Sequence, residues 1–323
     1  MNDAAAAQRL DHLIWTLVAM VAAIIVAAPS VSNFYIEWPQ FAAPIGACLA
    51  LAAAGWFYTR WRPDERLASG CLSTAQVIAF ASVAAPLSYL AASTNLPLID
   101  HVYDAIDRAM GLDWKAMLAF MNAWPALFDA LRPIYLSLTF QMTAAVLCLA
   151  FTGRFVWLRI YTLSFIFAAL ITIALSAVMP AVGVWPHYAL SAADSPHVLP
   201  TVSTSWPVFH GLRDGSFRTL VAVGSEGIIT FPSLHAALAV ILIVALWPIS
   251  KLRWVILAVN TVMLVATPVD GSHYFIDVIA GFVVAVLAVL AARACASWAS
   301  AGSERAAALA RAGKITQLIG GSR

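Results

Sequence analysis

Two short stretches combine ionisable side chains with otherwise apolar surroundings. The first is "TFPSLHAA", Thr230 to Ala237, after which the chain runs almost without polarity to Trp247; the second is "TPVDGSHYFIDVIAG", which holds His273 and Asp277. Ionisable groups in a membrane span cost about 2.5–3.5 kcal/mol each at the bilayer centre on insertion scales, so His235, His273 and Asp277 need a reason to be there. Pro232 suits the first position of a helix because it has no N–H to leave unpaired, which puts His235 in the first turn. His273 and Asp277 are i and i+4 on one helix face. The carboxylate can therefore accept a hydrogen bond from one imidazole nitrogen and leave the other free. An anion flanked by two histidines, one of them oriented by a carboxylate, is the arrangement phosphoryl transfer needs. One imidazole attacks phosphorus and the other protonates the leaving oxygen.

The same residues admit other uses. A histidine at a span edge serves as an interfacial anchor or a partner for a backbone carbonyl. The HxxxD pair with His235 as a third ligand is a possible metal site. A non-catalytic transporter or lipid-binding protein could use the histidines for proton coupling or anion binding. A transporter calls for ionisable residues or broken helices near the bilayer midplane, whereas these three cluster at one end of their spans.

The elements that must position them are membrane spans. Of 323 residues, 62% are hydrophobic and 11% charged, against about half and about a quarter in soluble domains. Windows of 17 or more mostly apolar residues, long enough to cross about 30 Å of hydrocarbon, begin near Leu13, Phe41, Cys71, Pro133, Ile160, Pro232, Trp254 and His273. The reading is an all-α integral membrane protein of about eight transmembrane helices. Cys48, Cys71, Cys148 and Cys295 form no CxxC pair and signal neither a disulfide framework nor a zinc cluster.

The net charge of +2 says less than its distribution. With the N-terminus inside, 13 of the 18 Lys and Arg fall in inside segments, and five, Arg108, Lys115, Arg132, Arg213 and Arg218, fall outside. The positive-inside rule puts both termini in the cytoplasm. The first span, with Arg9 before it and "VAAPS" at its end, also has features of a signal peptide, though its apolar run exceeds a usual h-region.

Two outside connections are long. In Ser93 to Arg132, the residues Ile106, Met110, Trp114, Met117, Leu118 and Met121 recur at helical spacing opposite Asp107, Arg108 and Lys115, which predicts a helix in the outer interface. There Arg108 is expected to pair with Asp104. The second connection, Pro180 to Phe231, is rich in Pro, Ser, His and aromatics, and long connections of this kind are commonly functional. Asp270, Gly271 and Ser272 are turn and cap chemistry, so the last span is expected to begin near His273. The starts of the sixth and eighth spans then share the outer side, where two helix N-termini would form an anion site. Glu226, His187, His197 and His210 have no spacing that selects them.

"PSLH" at Pro232 to His235 and "HYFID" at His273 to Asp277 resemble the "PSGH" and "HxxxD" motifs of the type 2 phosphatidic acid phosphatase superfamily. "FPSLHAALAV" and "ATPVDGSHYFIDVIAG" look most like the branch containing inositol phosphorylceramide synthases and sphingomyelin synthases. The resemblance runs from about Cys71 to Ala292. It implies three regions: two additional N-terminal helices (1–70), a six-helix catalytic core (71–295) and a cytoplasmic tail (296–323). It also implies a phosphohistidine mechanism without metal or other cofactor, with His273 as nucleophile, Asp277 as its orienting partner and His235 as general acid.

The family's lysine and arginine set is absent. Position 267 is threonine where the family carries arginine, and neither Arg62-Pro63 nor Arg132-Pro133 has lysine seven residues earlier. Arg213 and Arg218, in the connection feeding "PSLH", are the replacements expected to grip phosphate. Ser233 and Ser272 are further donors, though capping explains them equally well. The expected partners are a lipid phosphate or phospholipid donor and a lipid or water acceptor, with no nucleic acid. The site is expected on the outer face of a bacterial plasma membrane. Loss of the cation set leans towards headgroup transfer over hydrolysis by a lipid phosphate phosphatase.

Overall fold

In lipid, a chain segment must satisfy its own backbone hydrogen bonds, and within one segment only a helix does so. The computed structural model describes residues 2–191, 193–222 and 228–320, with 2–4 and 303–320 as backbone only, and is helical nearly throughout. In order, the chain forms α1 (Asn2–Val31), β1 (Tyr35–Ile36), α2 (Trp38–Arg60), α3 (Glu65–Ala92), α4 (Asp100–Ala109), α5 (Trp114–Ala123), α6 (Pro125–Leu136) and α7 (Leu138–Phe151). There follow α8 (Phe155–Val178), α9 (Val184–His187), a 3-10 turn (Thr201–Ser205), α10 (Trp206–Asp214), β2 (Thr219–Leu220), α11 (Leu234–Leu246), α12 (Arg253–Asp270) and α13 (Phe275–Gly320).

Among the described residues six helices, α1, α2, α3, α8, α12 and α13, are long and apolar enough to cross a membrane, and up to seven if α6 and α7 count as one bent span. Two of the eight expected windows therefore take another form. The window at Pro133 is split by a 43° bend between α6 and α7. Pro133 lies inside α6, and the Ser137 hydroxyl at the break donates to Ile134 O at 2.6 Å; such residues are common causes of kinks. The window at Pro232 forms only the 13-residue α11, about 20 Å at 1.5 Å per residue, because Pro248 cannot supply the N–H a further turn needs.

Helix α8 is the hub, packed against α1, α3, α11 and α13. Its Leu158, Leu163, Ile166 and Ala168 meet Leu10 and Ile14 of α1 and Ala285 and Ala288 of α13 in one apolar core. Helix α2 leans on α3 from outside. The buried polar contacts sit where helices must register. Asn260 Nδ2 donates to Gln141 Oε1 at 2.8 Å between α12 and α7. Arg159 of α8 holds Asp11 of α1 through Nε and Nη2 at 3.1 and 2.9 Å, and Gln76 Nε2 of α3 donates to the same carboxylate at 3.0 Å. Truncating one partner of a buried pair strands the other charge. Asp11→Ala is therefore expected to cost about 3–5 kcal/mol, seen as a lower unfolding midpoint in detergent. The double change with Arg159→Leu should recover most of it, and an unchanged single-variant midpoint would remove the pair's structural role.

The two long connections form a cap. The expected single interfacial helix is two, α4 and α5, separated by a turn at Gly111 with φ +76°. The buried face of α4 is Asp100, Tyr103 and Asp107, while Met110 is exposed. This reverses the expectation that Asp107 faces water. Trp114 and Leu118 of α5, Phe128 and Leu131 of α6, Trp185 and Tyr274 make a second apolar core above the helix ends. β1 pairs in parallel with β2, joining the α1–α2 turn to the second long connection.

Candidate active site

Gly271 to Tyr274 link α12 to α13, and the first turn of α13 carries Asp277. Asp277 Oδ2 accepts from Tyr274 N at 2.9 Å and lies 3.2 Å from His273 Nδ1. Imidazole donates a proton from one nitrogen when neutral. Donation from Nδ1 to the carboxylate leaves the Nε2 lone pair free to act, and Nε2 lies 3.2 Å from Ser233 Oγ. Ser233 caps α11, its Oγ accepting from Ala236 N at 3.3 Å, and its own N–H donates to Asp277 O at 3.0 Å. Both sequence stretches are thus stitched together by main chain as well as side chain. Asp277 is 0%, Ser233 0% and His273 4% exposed.

His235, in the first turn of α11, is half-buried and stacks on Tyr135 of α6, with ring centroids 4.3 Å apart and planes 8° from parallel. His235, His273 and Tyr135 line one cavity of about 210 Å³. Its other walls include Ala84, Ala85 and Ser88 of α3 and Phe165 and Ala169 of α8. Most of the other lining residues are hydrocarbon.

A glycine controls the approach of the two motifs. At Gly281, one turn beyond Asp277, an added Cβ would stand 2.4 Å from Ser233 O and 2.9 Å from Ala236 Cβ. Only hydrogen fits between α13 and the start of α11.

Other expected site residues lie elsewhere. Arg213 Nη2 donates to Leu96 O at 2.6 Å and its guanidinium lies over Phe209. Arg218 Nη1 donates to Leu212 O at 2.7 Å, beside the ring of Phe34. Neither lines the histidine cavity; local carbonyls and rings hold both guanidiniums in the cap. Ser272, at φ +53°, accepts from Trp185 N at 3.0 Å through Oγ and from Val184 N at 3.0 Å through its carbonyl. It ties the α9 turn to the α12–α13 link and does not cap α13. Asp270 accepts from Thr201 N and Oγ1 at 3.0 and 2.8 Å. Arg108 pairs with Asp104 at 2.9 Å, as its spacing suggested.

The expected anion site at two helix ends is altered by a residue the pattern did not select. Asp107 accepts from Phe275 N at 2.7 Å and Ile276 N at 2.8 Å, so a carboxylate already occupies the N-terminus of α13. Burial pushes this carboxyl above the ordinary range, against the pull of those two N–H donors. Asp100, also buried, accepts from Val182 N, Gly183 N and the Tyr274 hydroxyl, each at 3.0 to 3.1 Å. The spacing of Asp100, Tyr103 and Asp107 on one α4 face was the available signal. Its mixed polarity hid it. Among the described residues, no group of three or more His, Cys, Asp and Glu is arranged to hold a metal ion.

A bundle of apolar helices, with one imidazole 3.2 Å from a buried carboxylate and a second imidazole on the same cavity, defines a helical membrane protein with a two-histidine site. The model of the PAP2 superfamily matches residues 104–291, more than half of the chain, and the chain belongs to that superfamily. The matched region contains Tyr135, Ser233, His235, His273 and Asp277. It begins in α4 and leaves out α3, later than the start expected near Cys71. No curated protein and no solved structure matches the chain.

Proposed function

We propose that this protein is a membrane lipid phosphotransferase that moves a phosphorylated headgroup from a lipid donor to an alcohol acceptor through a phosphohistidine. The observation that carries the reading is the cavity lined by both His235 and His273, the latter 3.2 Å from Asp277. Neutral His273 attacks phosphorus through Nε2 as the bond from phosphorus to the leaving oxygen breaks, and His235 delivers the proton to that oxygen. Asp277 holds Nδ1–H and stabilises the charge that the ring acquires. Ser233 turns its hydroxyl from Nε2 to a phosphoryl oxygen. The acceptor hydroxyl then attacks the phosphohistidine, gives its proton to His235 and restores both rings.

Among the described residues, no Lys or Arg lines the cavity. A phosphodiester, with one negative charge, therefore suits it better than a doubly charged monoester, which favours transfer in the manner of the inositol phosphorylceramide synthase and sphingomyelin synthase-like branch over hydrolysis. In this reading the chain crosses a bacterial plasma membrane eight times, with α6–α7 and α11 as two of the crossings, both termini cytoplasmic and the cavity facing outward.

The test supplies purified protein in mixed micelles with phosphatidic acid, phosphatidylinositol or phosphatidylcholine labelled with ³²P, with and without a diacylglycerol or ceramide acceptor. Acid-labile labelling of the protein and acceptor-dependent label transfer support the reading. Release of inorganic phosphate alone identifies a phosphatase, and no label in any arm overturns both. EDTA is expected to leave turnover unchanged; inactivation reversed by zinc would favour a metal site.

A further inference from the structure

Helical periodicity does not fix the ring of His273, because His273 lies in the link before α13 while Asp277 sits in its first turn. The 3.2 Å approach of Nδ1 to the Asp277 carboxylate therefore depends on what holds residues 273–277 in place. On one side, His273 N donates to Pro268 O at 3.1 Å, and Ser272 accepts from Val184 N and Trp185 N. On the other side the contacts come from α4. Asp107 accepts from Phe275 N through Oδ2 at 2.7 Å and from Ile276 N through Oδ1 at 2.8 Å. Asp100, two turns earlier on α4, accepts from the Tyr274 hydroxyl at 3.0 Å.

The first N–H groups of a helix find no partner within it, and the four from Tyr274 to Asp277 are accounted for here. Tyr274 N donates to the Asp277 side chain, and Asp277 N donates back to Tyr274 O at 3.2 Å. Phe275 N and Ile276 N, the two between, both go to Asp107. A carboxylate suits this place better than a neutral acceptor because the helix dipole is positive at its N-terminus. The cap comes from a residue 168 positions away in the chain, so it fixes α13 against α4. The same face of α4 reaches the other motif. Tyr103, one turn before Asp107, stacks on Phe231 with ring centroids 4.4 Å apart, and Phe231 immediately precedes "PSLH". One short buried face thus registers both stretches. Asp107 does not line the histidine cavity, so it can act on the reaction only through the residues it holds.

We propose that Asp107 is a positioning residue: its carboxylate clamps the first turn of α13 so that Asp277 meets His273 Nδ1 and the ring presents Nε2 to phosphorus. The part played by the ring is that of the phosphohistidine reading, on which this assignment rests.

The experiment compares wild type, Asp107→Asn, Asp104→Asn and His273→Ala in detergent micelles. It measures kcat and KM with the ³²P-phospholipid that labels wild type fastest, the unfolding midpoint, and the Nδ1–H proton resonance of His273 in ¹⁵N-histidine-labelled protein, assigned by its absence from His273→Ala. Asparagine keeps the size and one acceptor oxygen but turns an amide N–H against the second backbone N–H. Asp107→Asn is expected to lower kcat by tens of fold, within the roughly 10²-fold that a misplacement of about 1 Å can cost. KM should stay near wild type, and the His273 resonance should shift or broaden. Asp104, on the same helix, pairs with the exposed Arg108, so Asp104→Asn should leave all of these at wild type. A lower midpoint in Asp107→Asn with kcat and the resonance unchanged would reduce Asp107 to a structural cap and overturn the proposal. So would a loss of kcat with the resonance unmoved, a rise in KM at constant kcat, or equal losses in Asp104→Asn. His273→Ala separates the two levels: if it keeps turnover the phosphohistidine reading itself fails, and if it is inactive while Asp107→Asn is normal in kcat and resonance only the aspartate assignment falls.

Discussion

His273→Ala is expected to reduce turnover by roughly four orders of magnitude or more, the scale seen when a nucleophile acting within a catalytic unit is removed. At about 1.36 kcal/mol per decade this is on the order of 5 kcal/mol of transition-state stabilisation. The fold should survive. The imidazole meets the side chains of Ser233 and Asp277, through Oγ and Oδ2, and the Asp277 carboxylate keeps its bond from Tyr274 N. The discriminating measurement is therefore a pair: labelling and turnover lost, unfolding midpoint in detergent close to wild type. His235→Ala should behave differently in one respect. A leaving group that needs no protonation should still form the phosphohistidine, so label should accumulate while transfer to acceptor slows. Normal turnover by His273→Ala would eliminate the nucleophile assignment.

Gly281→Ala is expected to damage the site from outside the cavity. Its new methyl would stand 2.4 Å from the Ser233 carbonyl oxygen, so α11 and α13 must separate. Overpacking of this kind costs about 1–3 kcal/mol, and a misplacement of about 1 Å between reacting groups can cost roughly 10²-fold in rate. The prediction is a lower unfolding midpoint together with a fall in kcat of that order. Gly46→Ala is the matched control, because nothing lies within 4 Å of a Cβ there and the position is in α2, away from the cavity. A Gly281→Ala protein with wild-type kcat would mean that Ser233 and His273 keep their relation without the close helix contact.

Much of this was legible in the chain. Apolar runs free of charge forced helices, because lipid offers no other partner for peptide groups. The pairing of Arg108 with Asp104 followed from helical spacing alone, since residues four apart on a helix are neighbours whatever surrounds them; His273 and Asp277 also meet, although His273 lies in the link before α13 and not on the helix face expected for it. The motifs "PSLH" and "HYFID" pointed to the superfamily to which the chain belongs.

Less local features misled. Asp107 reads as a solvated charge on an amphipathic helix, yet it is 2% exposed beneath the start of α13. Periodicity cannot register that a distant helix N-terminus needs a cap. Arg213 and Arg218 stood near "PSLH" in the chain, yet neither lines the histidine cavity, since Arg213 of α10 and Arg218 beyond it both donate to carbonyls of the cap. Tyr135 lay unremarked in an apolar window because an aromatic at helical spacing is ordinarily core. The bend at Ser137 turns it onto His235.

By itself the sequence determined the solvent of this protein, its helical character and the chemical types at the centre of the candidate site, because these depend on composition and on spacing within one turn. Only the tertiary structure decided which helix ends meet, what fills them and which hydroxyl overlooks His273. Those relations depend on a few ångströms of clearance between segments far apart in the chain, such as that allowed by Gly281, and no local pattern encodes such a distance.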